Sequence, residues 1–181
     1  MKKILTLLLV SLLLAACGGE KPDLSYEVES YAVDMSSYPG VRSTGHAFRR
    51  VLVSEVFRAI EEGGSGVFYL GYSSCPFCRK CVAPLNEVAT DLGVTVYYID
   101  AYYEGAHLTD EEIDKYIELL YTTLNDDPET GEKAVYTPQV FTIINGKVAG
   151  SKISMEETGN EEKDINKLKK DYRKLLQPFA S

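Results

Sequence analysis

The fold of this chain is decided by the stretch Ser74-Cys75-Pro76-Phe77-Cys78-Arg79-Lys80-Cys81. It lies between an apolar run, Val67-Phe68-Tyr69-Leu70, and an amphipathic stretch over residues 82–92, a layout that predicts a buried strand leading into a helix. Pro76 suits the first helical position because its missing N–H would have no partner there. Cys75 is then expected near the N-cap, facing the free N–H groups and the positive end of the helix dipole, which favour thiolate over thiol.

The spacing of Cys75 and Cys78 is typical of reversible two-electron thiol–disulfide exchange. Cys78 follows by one helical turn, so its thiol can attack a mixed disulfide at Cys75 and release the product. The only redox group expected is the Cys75–Cys78 disulfide itself, with no bound cofactor. Two alternatives remain open, half of a zinc site or small apolar core residues. A zinc site needs four ligands, and only Cys81, His46 and His107 remain to supply them, so we predict no metal site.

The length and net charge of the chain limit the functions that it can have. Its 181 residues are enough for one domain with a sizeable core plus short extensions. The formal net charge of −8 argues against nucleic acid as a partner. The sequence has no glycine-rich phosphate-binding loop.

The N-terminus has the layout of a secretory leader, with Lys2 and Lys3 before an apolar run over residues 4–16 that is too short to span a bilayer. The ending Leu14-Ala15-Ala16-Cys17 resembles a bacterial lipoprotein signal. That resemblance implies cleavage before Cys17, an acyl chain such as palmitate on this residue, and an extracytoplasmic protein anchored to the cell membrane. An ordinary signal peptide or an uncleaved anchor are the alternatives. The predicted organisation is a signal peptide over 1–16, a lipidated N-terminus and tether over 17–43, and a folded domain over 44–181.

Periodicity and turn signals predict the remaining elements. The tether leads into a docked extension, with a possible edge strand over residues 26–33. Further elements are a helix capped by Thr44, a strand over 67–72, a helix ending near Leu92, a second buried strand over 94–99, a helix behind the capping box Thr109-Asp110-Glu111-Glu112, a hairpin of Gln139–Ile144 and Lys147–Ile153 around Asn145-Gly146, and the helix Glu161–Leu176.

This order of elements resembles the thioredoxin superfamily over residues 44–177. The resemblance implies an α/β fold, a three-layer sandwich in which helices flank a mixed central sheet. Thr137-Pro138 stands immediately before a predicted strand, where thioredoxin-like proteins carry a cis-proline against the dithiol. Taken alone, this dipeptide would indicate a trans turn. The resemblance therefore implies a substrate groove formed by Pro76, Phe77, Thr137 and Pro138.

Comparison within the superfamily adds detail. Cys-Pro-Phe-Cys is closest to the glutaredoxin motif, and the surrounding phrase is similar to bacteriocin-transport accessory proteins of Gram-positive bacteria. Thioredoxin carries a buried Asp six residues before its first active-site Cys, and Tyr69 stands at that place. The glutathione-binding Gly-Gly of glutaredoxins has no counterpart around residues 151–155, which argues against glutathione as a co-substrate.

Two functional hypotheses follow. The first is a membrane-anchored thiol–disulfide oxidoreductase that exchanges disulfides with exported cysteine-containing proteins or peptides and depends on a membrane or extracytoplasmic redox partner. The second is a lipoprotein accessory of a secretion or metal-handling system, in which Cys75, Cys78 and Cys81 hold a soft metal ion. Cys81 itself is open to three interpretations: an alternative resolving thiol, a metal ligand, or a small buried core residue.

Overall fold

A computed structural model describes residues 20–181. The predicted leader and Cys17 lie outside these residues. In the described part of the chain, seven strands and five α-helices follow in the order β1 (Phe48–Arg50), α1 (Val53–Glu61), β2 (Gly66–Gly71), α2 (Pro76–Leu92), β3 (Val96–Asp100), α3 (Ala101–Gly105), α4 (Asp110–Leu120), β4 (Asn125–Asp126), β5 (Lys133–Ala134), β6 (Gln139–Ile144), β7 (Lys147–Ile153) and α5 (Glu161–Leu176). No helix within residues 20–181 has both the length and the apolar character needed to cross a membrane.

Five strands form one mixed sheet in the order β1-β3-β2-β6-β7. β1, β3 and β2 run parallel, whereas β6 pairs antiparallel with both β2 and β7. β4 and β5 form a separate small ladder in the long connection between α4 and β6. The mixed central sheet predicted from the sequence is therefore confirmed.

Helices cover both faces of this sheet. All six residues of β2 are buried, and their side chains alternate between two cores. Val67 and Tyr69 belong to the core under α2 and α5, whereas Phe68 and Leu70 belong to the core under α1 and α4. The predicted thioredoxin-like three-layer sandwich is confirmed by this arrangement.

The helix predicted from Thr44 is wrong in its first part. Phe48–Arg50 instead form strand β1, which pairs with Val96, Tyr97 and Tyr98 of β3. Helix α1 begins only at Val53, and its N-cap, Leu52, offers no side-chain hydrogen bond. The free N–H of Val53 is capped from far along the chain, because Glu104 Oε2 accepts its hydrogen bond at 2.9 Å.

The chain before residue 44 packs along the domain from residue 20 onward. Met35 and Tyr38 are buried in the core under α2 and α5. The predicted edge strand over residues 26–33 is reduced to a single bridge between Tyr31 and Arg50.

Local sequence signals set the hairpin that follows the dithiol region. Asn145 and Gly146 both have positive φ, 50° and 77°, as a two-residue turn between β6 and β7 requires.

The Asn145 side chain also binds the start of the described chain. Its Nδ2 donates to Glu20 Oε1 and to the Lys21 carbonyl, and its Oδ1 accepts from the Asp23 N–H. Residues 20–23 thus lie at the end of the sheet where β6 finishes.

Candidate active site

Cys75 lies at the end of the turn that connects β2 to α2. It is the N-cap residue of α2, in extended conformation, and Pro76 occupies the first helical turn. Its Sγ accepts a hydrogen bond from the Cys78 N–H at 3.1 Å, in place of the oxygen that usually caps a helix. The predicted N-cap placement of Cys75 is confirmed, and it brings the sulfur next to the N–H groups and the positive dipole end of α2.

The loop before β6 reaches the same sulfur. Thr137-Pro138 is a cis peptide, as the sequence analysis predicted. The Thr137 hydroxyl lies 3.7 Å from Cys75 Sγ and the Thr137 carbonyl oxygen 3.9 Å from it, both within hydrogen-bond range for sulfur. Two segments that are 62 residues apart therefore meet at one thiol.

The four predicted groove residues differ in exposure. Pro76 and Phe77 are exposed, Phe77 by 47%, whereas Thr137 is half-buried and Pro138 is buried. Cys75 and Cys78 are both buried, with 3% and 0% of their surface exposed, so Cys75 is the slightly more accessible of the two. The role of these residues in binding a substrate stays a prediction.

Cys78 is held as a protonated thiol. Both cysteines are free in this structure. Burial, followed by the contact with the Cys75 side chain, raises the pKa of Cys78 to about 12. A thiol in this state cannot start an exchange, but it can complete one once its proton is removed.

The core around Cys78 contains phenols. Tyr69, Tyr38 and Tyr98 belong to the same core cluster as Cys78. The Tyr38 hydroxyl donates to that of Tyr98 at 3.3 Å, and the Tyr69 and Tyr98 rings stack at 5.8 Å. Burial raises the pKa of Tyr69 well above its usual value, and its hydroxyl has no hydrogen-bond partner among the described residues. A buried phenol without a hydrogen-bond partner among the described residues therefore lies in the same core as Cys78.

Cys81 lies on the buried side of α2, one turn beyond Cys78. It is 1% exposed and shares the core with Tyr172 of α5, and burial raises the pKa of its thiol to about 11. These properties favour the interpretation of Cys81 as a small core residue. Within residues 20–181, no group of three or more His, Cys, Asp or Glu side chains is placed to hold a metal ion.

Sequence reasoning missed the contribution of the segment before β1. Arg79 Nη1 donates to the carbonyl oxygens of Ser37 and Ser73, each at 3.1 Å, so it ties this segment to the turn before Cys75. Tyr38 enters the core beside Cys78 from the same segment. The segment lacks the periodicity that would have predicted these contacts.

The arrangement defines a class of site: a helix-capping thiol and a buried second thiol, closed by a loop with a cis-proline. The solved structures that are similar to the chain include two plant thioredoxins. Thioredoxin O2 from Arabidopsis thaliana in its oxidized state is 15% identical, with 71% of this chain and 94% of that chain covered and a TM-score of 0.44. Thioredoxin O1 from the same plant, also oxidized, is 20% identical, with 70% and 96% covered and a TM-score of 0.41.

No protein-family model and no curated protein matches the sequence. The two structural similarities are low in both identity and superposition.

Proposed function

We propose that the chain is a thiol–disulfide oxidoreductase in which Cys75 is the attacking thiol and Cys78 the resolving thiol. The observation that carries this proposal is the pairing at the start of α2, where Cys75 Sγ accepts a hydrogen bond from the Cys78 N–H at 3.1 Å and lies 3.7 Å from the Thr137 hydroxyl, a second donor. N–H and O–H donors directed at a sulfur stabilise its anionic form, which is the nucleophile.

The thiol–disulfide exchange takes place in two displacement steps. In the reducing direction, the Cys75 thiolate attacks a substrate disulfide, the first substrate sulfur stays bound as a mixed disulfide, and the second leaves as a thiolate that takes up a proton. Cys78 then loses its proton and attacks Cys75 Sγ, which expels the remaining substrate thiolate and forms the Cys75–Cys78 disulfide. The same steps in reverse oxidise a dithiol substrate. A redox partner must restore the starting state in either direction.

The exposed side of the site supports a polypeptide substrate. Phe77 presents an apolar surface beside Cys75, and the backbone of Thr137 lies against the reacting sulfur. We propose that exported cysteine-containing proteins or peptides bind across these two segments. The proposal of an extracytoplasmic, lipid-anchored protein is supported by the leader-like residues 1–16 and the cysteine at position 17.

A trapping experiment tests the roles of the two thiols. The Cys78→Ser variant of the full chain should accumulate mixed disulfides through Cys75, because the second displacement is blocked. Cys81→Ser is the matched control, since it changes a buried thiol on the same helix and should leave no trapped adduct. Mass spectrometry of acid-quenched samples after incubation with native, disulfide-bonded insulin identifies the bonded cysteine. Equal trapping in both variants, or none in Cys78→Ser, would refute the assignment.

The direction of electron flow follows from one measurement on the same protein. The equilibrium potential of the Cys75–Cys78 couple is compared with roughly −270 mV, typical of thioredoxin, and roughly −120 mV, typical of a strong oxidant. A value near the first assigns a reductase, and a value near the second an oxidase.

A further inference from the structure

A second site is formed on the opposite face of the sheet from the dithiol helix. A cavity of about 180 Å³ lies between β2, α1, α3 and α4. Its apolar walls are formed by Val53, Leu70, Ala101, Leu108, Ile113 and Val135. An apolar cavity of roughly 150 Å³ is large enough for a single six-membered ring.

Two polar side chains line this cavity, and each has a buried atom without a partner. Glu104 is 6% exposed and Tyr116 is 4% exposed. Among the described residues, neither Glu104 Oε1 nor the Tyr116 hydroxyl has a hydrogen-bond partner. Buried polar atoms are satisfied in most native structures, so two of them on one cavity make it a candidate site for a polar ligand.

The structural role of Glu104 accounts for only one of its oxygens. Oε2 caps helix α1 through the Val53 N–H, which leaves Oε1 free of that role. Burial raises the pKa of the Glu104 carboxyl group, against the opposing effects of the Val53 N–H, Arg50 and His107. The Arg50 guanidinium stacks on the Tyr103 ring at 4.6 Å, and His107 Nδ1 contacts the Tyr103 carbonyl at 2.6 Å. Glu104 forms no ion pair with any residue in the described range 20–181.

We propose that this cavity, named here the Glu104 cavity, binds an organic ammonium group carried on an apolar body about the size of one ring. An ammonium donates three N–H bonds, so it can satisfy both Glu104 Oε1 and the Tyr116 oxygen. It also supplies the positive charge that a buried carboxylate needs, since an unpaired buried charge is costly. The six apolar residues accommodate the hydrocarbon part.

Two sources can supply this chemistry, a free small amine or the N-terminus of a peptide whose first residue is apolar. The cavity is bordered by exposed Gly105 and by Val135, which is 37% exposed. Val135 stands two residues before Thr137, so the chain runs directly from this cavity to the dithiol loop. The inference itself does not depend on the proposed redox function.

A binding titration on the full chain tests the proposal with three probes of similar shape. Benzylamine carries the ammonium, benzyl alcohol replaces it with a neutral hydroxyl, and a tripeptide with N-terminal phenylalanine places it on a peptide. We expect saturable, millimolar binding of benzylamine, about tenfold tighter than that of benzyl alcohol. Calorimetry or ligand-observed NMR measures these affinities, and neither readout involves the thiols. Tripeptide binding as tight as benzylamine assigns a peptide N-terminus, and benzylamine binding alone assigns a free amine; both support the site.

Two variants and a control locate the binding. Glu104→Gln keeps an oxygen for the Val53 N–H but removes the charge, so benzylamine should bind about tenfold more weakly while benzyl alcohol is little changed. Tyr116→Phe keeps the ring and should weaken benzylamine binding several-fold, which tests the site even if Glu104→Gln does not fold. Glu118→Gln makes the same chemical change at an exposed position and should have no effect. Absence of benzylamine binding, or equal affinity in Glu104→Gln, overturns the proposal.

Discussion

The high pKa of Cys78 predicts that the reduced protein loses stability in mild alkali and that Cys78→Ala removes part of this loss. The thiol titrates at about 12 in the folded chain, compared with 9.0 for an ordinary thiol. Between these values, the folded state keeps a proton that the unfolded state has already released. Because the folded state then binds more protons, the free energy of unfolding falls as the pH rises.

The size of the effect follows from the distance between the two pKa values. At pH 10, the unfolded thiol is mostly ionised and the folded thiol is not. This pH lies one unit above the pKa of the unfolded thiol and below that of the folded thiol. One unit corresponds to about 1 kcal/mol of unfolding free energy for this group. Cys81 and the buried tyrosines also destabilise the protein in alkali, but they remain in the variant. Between pH 8 and pH 10, the free energy of unfolding of the wild type should therefore fall by about 1 kcal/mol more than that of Cys78→Ala.

Urea denaturation at pH 8 and pH 10 under a reducing agent, followed by circular dichroism, measures these losses. Val82→Ala is the matched control, because it is a fully buried truncation on the same helix without a titrating group. It should lower stability at both pH values and keep the wild-type pH dependence. If Cys78→Ala and Val82→Ala show the same loss between pH 8 and pH 10, the assignment of a buried, protonated Cys78 is wrong.

Three further predictions concern the surroundings of the dithiol. Gly71→Ala should lower the free energy of unfolding by about 1–3 kcal/mol, because its Cβ would clash with the Tyr69 hydroxyl. Gly105→Ala, whose Cβ would have nothing within 4 Å, should not lower it, and urea denaturation compares the two variants. Cys81→Ala should keep insulin reduction within about twofold of wild type while lowering thermal stability, and an inactive but folded variant would contradict a packing role. Thr137→Val should slow alkylation of Cys75 by iodoacetamide about two- to tenfold, since it removes an O–H donor from the sulfur; an unchanged rate would show that the 3.7 Å contact does not affect reactivity.

The parts of the fold that local chemistry sets could be predicted from the sequence. Pro76 and Gly93 mark the two ends of α2. Asn145-Gly146 sets the hairpin, and the bounds of β6 and β7 agree with the prediction, as do those of α5. These signals act within a few residues, and no distant partner competes with them.

The parts that depend on distant partners could not be predicted. Phe48 fits a helical stripe by its spacing, but it belongs to β1 because β3, nearly 50 residues later, offers a parallel strand to pair with. The capping of Val53 by Glu104 and the entry of Tyr38 into the core follow the same pattern. For the candidate site, the sequence predicted Cys75, Cys78 and the cis Thr137-Pro138 bond, while the aromatic surroundings of Cys78 required the structure.

The attachment of residues 20–23 to Asn145 places the start of the described chain at one end of β6 and the dithiol at the other. β6 starts next to Pro138, beside Cys75, and finishes next to Asn145, so the reactive thiol and the start of the described chain are separated by a strand of six residues, roughly 20 Å. A surface that captures the protein through residues 20–23 would hold the dithiol away from itself, facing outward. A bulky protein could then dock on Cys75 without touching that surface.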